Sequence, residues 1–192
     1  MPSNSILLVM DMINDLVHPD GAGAKTYAVK CRERNVYENT VRAIERARKA
    51  GVMVGFVRVG FSPDYRECPP NSPVFSKAQE NGIFKLGTWG TEVYSDFAPQ
   101  DGDADIVKHR VSPFYGTALA PLLSACGIRR LILTGVSTNG VVSAAVREGH
   151  DRDFTCVILE DCCAGATDDE HAFALAGLRR FATVTTAGEV EF

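Results

Sequence analysis

Short apolar runs alternate with helix-patterned stretches along almost the whole chain, and this alternation restricts the fold more than any single residue does. Ser5–Met10, Val52–Val59, Ala104–Lys108, Arg130–Thr134, Phe154–Leu159 and Ala182–Thr186 read as six strands. Asn35–Ala50, Thr117–Ala125, Asn139–Gly149 and Asp168–Arg180 read as helices. In the first of these, Val36, Val41, Ile44 and Ala47 recur at helical spacing against Arg42, Glu45, Arg46 and Arg48, and Gly51 supplies a stop. Such a pattern predicts a mostly parallel, six-stranded sheet covered by helices on both faces, a three-layer, doubly wound, Rossmann-like α/β fold. The 192 residues fit one domain spanning 1–192 with a sizeable core. Residues 60–101 hold most of the prolines and read as a long excursion of the kind that usually serves function.

Composition narrows the class of function. Hydrophobic residues make up 45% and charged residues 23%, as in soluble globular proteins. A net charge of −4 gives no electrostatic reason to expect nucleic acid or an anionic membrane as partner. No apolar run approaches the roughly 18 residues of a membrane span. The opening Met1-Pro-Ser-Asn lacks the basic start of a secretory signal, so the expectation is a cytoplasmic protein with reduced thiols. Cys31, Cys68, Cys126, Cys156, Cys162 and Cys163 form no Cys-x-x-Cys pair, and no histidine lies at metal-ligand spacing. Neither a metal nor a cofactor is therefore expected. Cys126 and Cys156 read as small buried hydrophobes.

In a doubly wound sheet, ligands bind outside the carboxyl ends of the strands at the switch point. This rule singles out Asp11, Lys108, Ser137–Asn139 and Asp161–Cys163. Asp11 ends an apolar run, where partial burial raises a carboxyl pKa and suits it to proton transfer; it reads equally as a helix cap or a solvated strand end. Lys108 ends the third strand, either as a solvated charge or as the partner of such a carboxylate. Gly135-Val-Ser-Thr-Asn-Gly-Val-Val makes a small-residue turn into a helix, either a routine capped turn or a seat for an oxyanion.

Three stretches resemble the isochorismatase-like hydrolases. They are Ile6-Leu-Leu-Val-Met-Asp-Met-Ile-Asn-Asp-Leu, Lys108-His-Arg-Val-Ser-Pro-Phe-Tyr-Gly-Thr, and Leu131–Val142 followed by Glu160-Asp-Cys-Cys-Ala. They come in the family's order and cover nearly the whole chain. The resemblance implies that Asp11 and Lys108 take the family's aspartate and lysine roles. It also implies a cis Val136–Ser137 bond and an oxyanion turn built from Val136, Ser137, Thr138, Asn139 and Gly140. It suggests a homo-oligomer, dimer or tetramer, and a small-molecule substrate.

The match breaks at Val141, where most of that family carries a nucleophilic cysteine; an isopropyl group cannot attack a carbonyl. Two expectations follow. One is a hydrolase of a small amide, ureide or vinyl ether, with Asp11 as general acid or base and Lys108 as electrostatic support. The other is a catalytically inactive member that binds a small ligand or a protein. Arg58, Phe61, Trp89, Phe114 and Tyr115 are candidate substrate contacts, with core or interface as the plain alternative for Trp89 and the two phenylalanines.

Overall fold

A computed structural model describes residues 4–192, so Met1–Ser3 of the opening segment lie outside it. Its elements run β1 (Ser5–Met10), α1 (Asn14–Val17), α2 (Tyr27–Glu33), α3 (Val36–Lys49), β2 (Met53–Val59), α4 (Ala78–Asn81), β3 (Ala104–Lys108), α5 (Leu119–Ala125), β4 (Arg130–Val136), α6 (Ser143–Asp151), β5 (Thr155–Ala164), α7 (Asp168–Leu178) and β6 (Thr183–Thr185). The strands form one sheet in the order β3-β2-β1-β4-β5-β6, with every pairing parallel. The order reverses between β1 and β4, which opens a crevice at their carboxyl ends.

All six residues of β1 are buried, as a central strand covered on both faces requires. Their side chains alternate between two cores. Leu7 and Val9 pack with Val54, Phe56, Ile132 and the α3 residues Ala43, Ile44 and Ala47. Ile6, Leu8 and Met10 pack on the other face with Leu119 and Leu123 of α5, Ala145 and Val146 of α6, and Leu175 of α7. Three layers result.

The structure departs from the sequence reading where local pattern is short or tertiary contacts decide. Helices α1 and α2, four and seven residues long, carry no side-chain N-cap and too few turns to show a period. The expected helix from Asn139 starts instead as a wide π-type turn, Thr138–Val142, before α6. Strand β5 runs on to Ala164 because its register against β4 shifts between Leu133 and Gly135, a bulge that takes up extra residues on β5. Cys156 is buried, but Cys126 is exposed: it caps the carboxyl end of α5 on the solvent side.

The excursion from 60 to 101 is packed rather than loose. Phe61, Tyr65, Phe75, Ala78 and Phe84 form a third cluster with Ile13 and Val59. The backbone N–H of Phe61 donates to Phe84 O (2.7 Å), and that of Leu86 donates to Phe61 O (2.8 Å). The carboxylate of Asp15, just after β1, accepts from the Phe84 N–H at 2.6 Å and ties the excursion back to the sheet. Gly90 lies against that carboxylate, where a Cβ would sit 2.3 Å from Asp15 Oδ1.

Candidate active site

β1 ends at Met10, and Asp11 turns the chain with a left-handed backbone (φ 56°), a conformation that Asp tolerates better than most residues. Its N–H donates to Val57 O at 2.7 Å. Its carboxylate spans two neighbours: Oδ1 accepts from the Val59 N–H at 2.8 Å, and Oδ2 accepts from Lys108 Nζ at 2.8 Å. Lys108 pairs in register with Val59, so the lysine reaches across the end of β2 to the end of β1. It also donates to Arg110 O at 3.1 Å. Asp11 and Lys108 are 5% and 1% exposed, which makes this an ion pair almost wholly withdrawn from water. Burial pushes the Asp11 carboxyl above its ordinary range, while the Lys108 ammonium and the Val59 N–H pull it back.

Across the switch point, β4 passes very close to β1. A Cβ on Gly135 would lie 2.0 Å from Met10 O, and φ there is +127°, so only glycine fits. The following Val136–Ser137 peptide is cis. Thr138 is buried, and its hydroxyl meets His171 Nδ1 at 2.7 Å. His171 Nε2 faces Arg34 Nη2 at 2.8 Å, and that guanidinium also binds Glu160 at 3.0 Å. Arginine can only donate, so Nε2 accepts and the ring proton sits on Nδ1, directed at Thr138. Burial and then the Arg34 charge hold the His171 pKa below its ordinary value, against the pull of Glu160 and Asp168. The turn is thus anchored from beneath by a neutral, buried histidine.

These elements enclose a cleft of about 540 Å³, a size that suits a small ligand. Asp11, Lys108, Val136, Ser137, Asn139, Gly140 and Val141 lie on it. Val141, 2% exposed, is part of its apolar wall. The excursion supplies Val74, Phe75, Ile83 and Phe84, while Tyr27 and Glu170 close another side.

The five candidate substrate contacts are placed elsewhere. Arg58 is bound to both oxygens of Asp105 (2.8 and 2.6 Å) and to Thr91 O, because its side chain leaves β2 toward β3. Phe61 is fully buried among Phe75, Tyr65 and His109, one layer behind the cleft wall. Trp89 packs edge-on against His18. Phe114 is buried against Phe154. Tyr115, 67% exposed, borders a separate groove with Arg66 and Arg110. Among the described residues no cysteine lies on the cleft. Cys163 is buried opposite Gly135, and burial lifts its thiol to about 12. Cys162 packs with the opposite core, its thiol also pushed well up by burial.

Glu170 and the excursion residues are not among the candidates drawn from the sequence. A signal for Glu170 exists: Thr167-x-x-Glu170 is a capping pattern, and it opens the helix that follows β5. In the structure Thr167 Oγ1 accepts from the Glu170 N–H at 3.1 Å, and the Glu170 carboxylate accepts from the Ala166 N–H at 3.1 Å.

Comparison with known proteins agrees with this architecture. Residues 5–189 match the model of the isochorismatase domain. The ureidoacrylate amidohydrolase RutB of Methylorubrum extorquens is 33% identical over 173 residues, covering 82% of this chain and 68% of the relative. An isochorismatase family protein from Desulfovibrio vulgaris superposes with a TM-score of 0.85 at 22% identity, covering 96% of this chain and 95% of the other. The N-carbamoylsarcosine amidase of Thermoplasma acidophilum superposes with a TM-score of 0.78 at 27% identity, over 100% of both chains. Domain match, relative and fold agree: the chain belongs to the isochorismatase family of hydrolases.

Proposed function

We propose that this protein hydrolyses a small amide or ureide by direct attack of water, with Asp11 moving the proton. The observation that carries the reading is the buried Asp11–Lys108 pair, 2.8 Å apart, on the wall of a cleft beside the turn after β4. The thiol that the family resemblance leads one to expect is replaced by Val141, so no covalent acyl intermediate forms there. Instead the Asp11 carboxylate takes a proton from water as the water oxygen bonds to the carbonyl carbon. The carbonyl oxygen becomes an oxyanion, held by backbone N–H groups of the turn. Asp11 then returns the proton to the leaving nitrogen as the C–N bond breaks. Lys108 keeps Asp11 ionised despite its burial and remains close to the developing charge. A vinyl ether would use the same pair in the opposite sense, with Asp11 protonating carbon before water adds.

The pH–rate profile separates the two senses. As a base, Asp11 must be ionised, so activity falls with acidification through a pKa raised above the ordinary value near 4. As an acid, it gives a rate that falls as pH rises through the same point. Asp11→Asn keeps the shape and the Val59 contact and is expected to lose at least about a hundredfold in kcat/KM on amide and ureide substrates. Equal residual rates for the wild type and Asp11→Asn remove the reading. A ligand that stabilises the fold and is recovered unchanged would favour a binding protein, the role that a valine at position 141 equally suits.

A further inference from the structure

The charged groups on the cleft wall do not balance. Asp11, Lys108 and Glu170 are the aspartate, glutamate, lysine or arginine side chains that line it among the described residues. The Lys108 ammonium is committed to Asp11 and to Arg110 O. Glu170 is half-buried, and its carboxylate meets only the Ala166 N–H at 3.1 Å and Asn139 Nδ2 at 3.4 Å. No cation pairs with it among the described residues. The basic groups behind this wall are held by other carboxylates, Arg34 by Glu160 and Lys30 by Asp168 and Glu33. The cleft therefore carries a net negative charge with every lining cation already paired. Leu16, Val59, Phe75, Ile83, Phe84 and Val111 supply an apolar part of the wall, and Tyr27, Ser137 and Asn139 supply uncharged polar groups.

A ligand carboxylate entering this space would leave water, meet no free cation and lie near Glu170, so both desolvation and repulsion oppose it. We propose that Glu170 makes the cleft selective against carboxylates, and that its ligand is an uncharged or cationic amide or ureide with an apolar substituent. This rests on reading the cleft as the substrate site. It sets the chain apart from its relative named for ureidoacrylate, a carboxylate. Glu170 acts here by direct contact with the ligand space, beyond its part in the first turn of α7.

The test is calorimetric binding at pH 7.5 of three matched probes: phenylurea, 4-ureidobenzoate and 4-(aminomethyl)phenylurea. Wild-type protein is expected to bind the neutral and cationic ureas and to bind 4-ureidobenzoate at least about tenfold more weakly. In Glu170→Gln, which keeps an oxygen for the Ala166 N–H, that gap is expected to shrink to within about threefold. The wild-type ranking alone carries the test if the variant fails to fold. Equal or tighter binding of 4-ureidobenzoate by the wild type overturns the proposal, as does an undiminished gap in folded Glu170→Gln or no binding of any probe. Hydrolysis rates of wild type and Asp11→Asn report separately on the proton-transfer reading. Charge selectivity without turnover removes that reading and leaves this one standing.

Discussion

The two sides of the crevice at the switch point have been treated differently. On the β1–β3 side, Asp11 and Lys108 form a buried ion pair with each carboxylate oxygen partnered. On the β4 side, the turn keeps its tight passage at Gly135 and its anchor on His171, and beside Ser137 and Asn139 it presents to the cleft the hydrocarbon of Val141. A buried ion pair is costly to maintain, and replacing one with well-packed apolar groups is often neutral or stabilising. The chain keeps the expensive half and carries an inert group on the other. Under the proposed function, a pair retained without a thiol beside it would act on water through proton transfer.

Three experiments probe the difference between the two sides. Lys108→Met leaves the Asp11 carboxylate buried without its counter-ion and is expected to cost about 3–5 kcal/mol in urea unfolding at pH 7. Asp11→Asn combined with Lys108→Met removes both charges, and at least about 1 kcal/mol of that loss should return. Additive losses would show that the two side chains do not act as a unit. Next in size, Val141→Cys places a thiol on the cleft wall with little change in volume. An acyl adduct visible by mass spectrometry and a roughly hundredfold faster amide turnover are expected. No adduct and an unchanged rate would mean that the pair does not serve position 141.

The smallest effect concerns the anchor under the turn. His171→Ala removes the hydrogen bond to Thr138 and should lower stability by about 1–2 kcal/mol. His171 is held neutral in the fold, whereas in the unfolded chain it takes up a proton below about pH 6.5. Its depressed pKa therefore contributes stability that is complete above that pH and is lost on acidification, a slope the variant should lack. Identical pH dependence of urea midpoints for the two proteins would exclude this.

The fold was legible because the central strands of a doubly covered parallel sheet are near-continuous apolar runs, and a run as short as Ser5–Met10 reads as a buried strand. Strand ends were legible for the same reason: where the apolar run stops, a polar residue must stand at the sheet's edge, and Asp11 and Lys108 do. Side-chain direction was not. Phe61 and Phe114 went to the interior because the excursion and the segment after α6 bring aromatic partners, Phe75 and Phe154, that no local pattern encodes. Arg58 was claimed by Asp105 across two strands, a pairing set by register. Glu170 hid behind an ordinary capping pattern, because a residue that caps a helix and faces a cleft looks in sequence like one that only caps.

The left-handed backbone at Asp11 has one more consequence. Few side chains settle comfortably at φ 56°, and aspartate and asparagine are among them. Glutamate would have to accept that strained geometry and also overshoot Val59 N–H and Lys108. The position therefore behaves as a binary element. A single-atom exchange, oxygen for nitrogen, can silence its charge, but neither drift nor design has a graded series through which to adjust the reach of the carboxylate. Under the proposed function, tuning of the Asp11 carboxyl would come from what surrounds it: the lysine beside it, the wall opposite, and the charge at the cleft's far side.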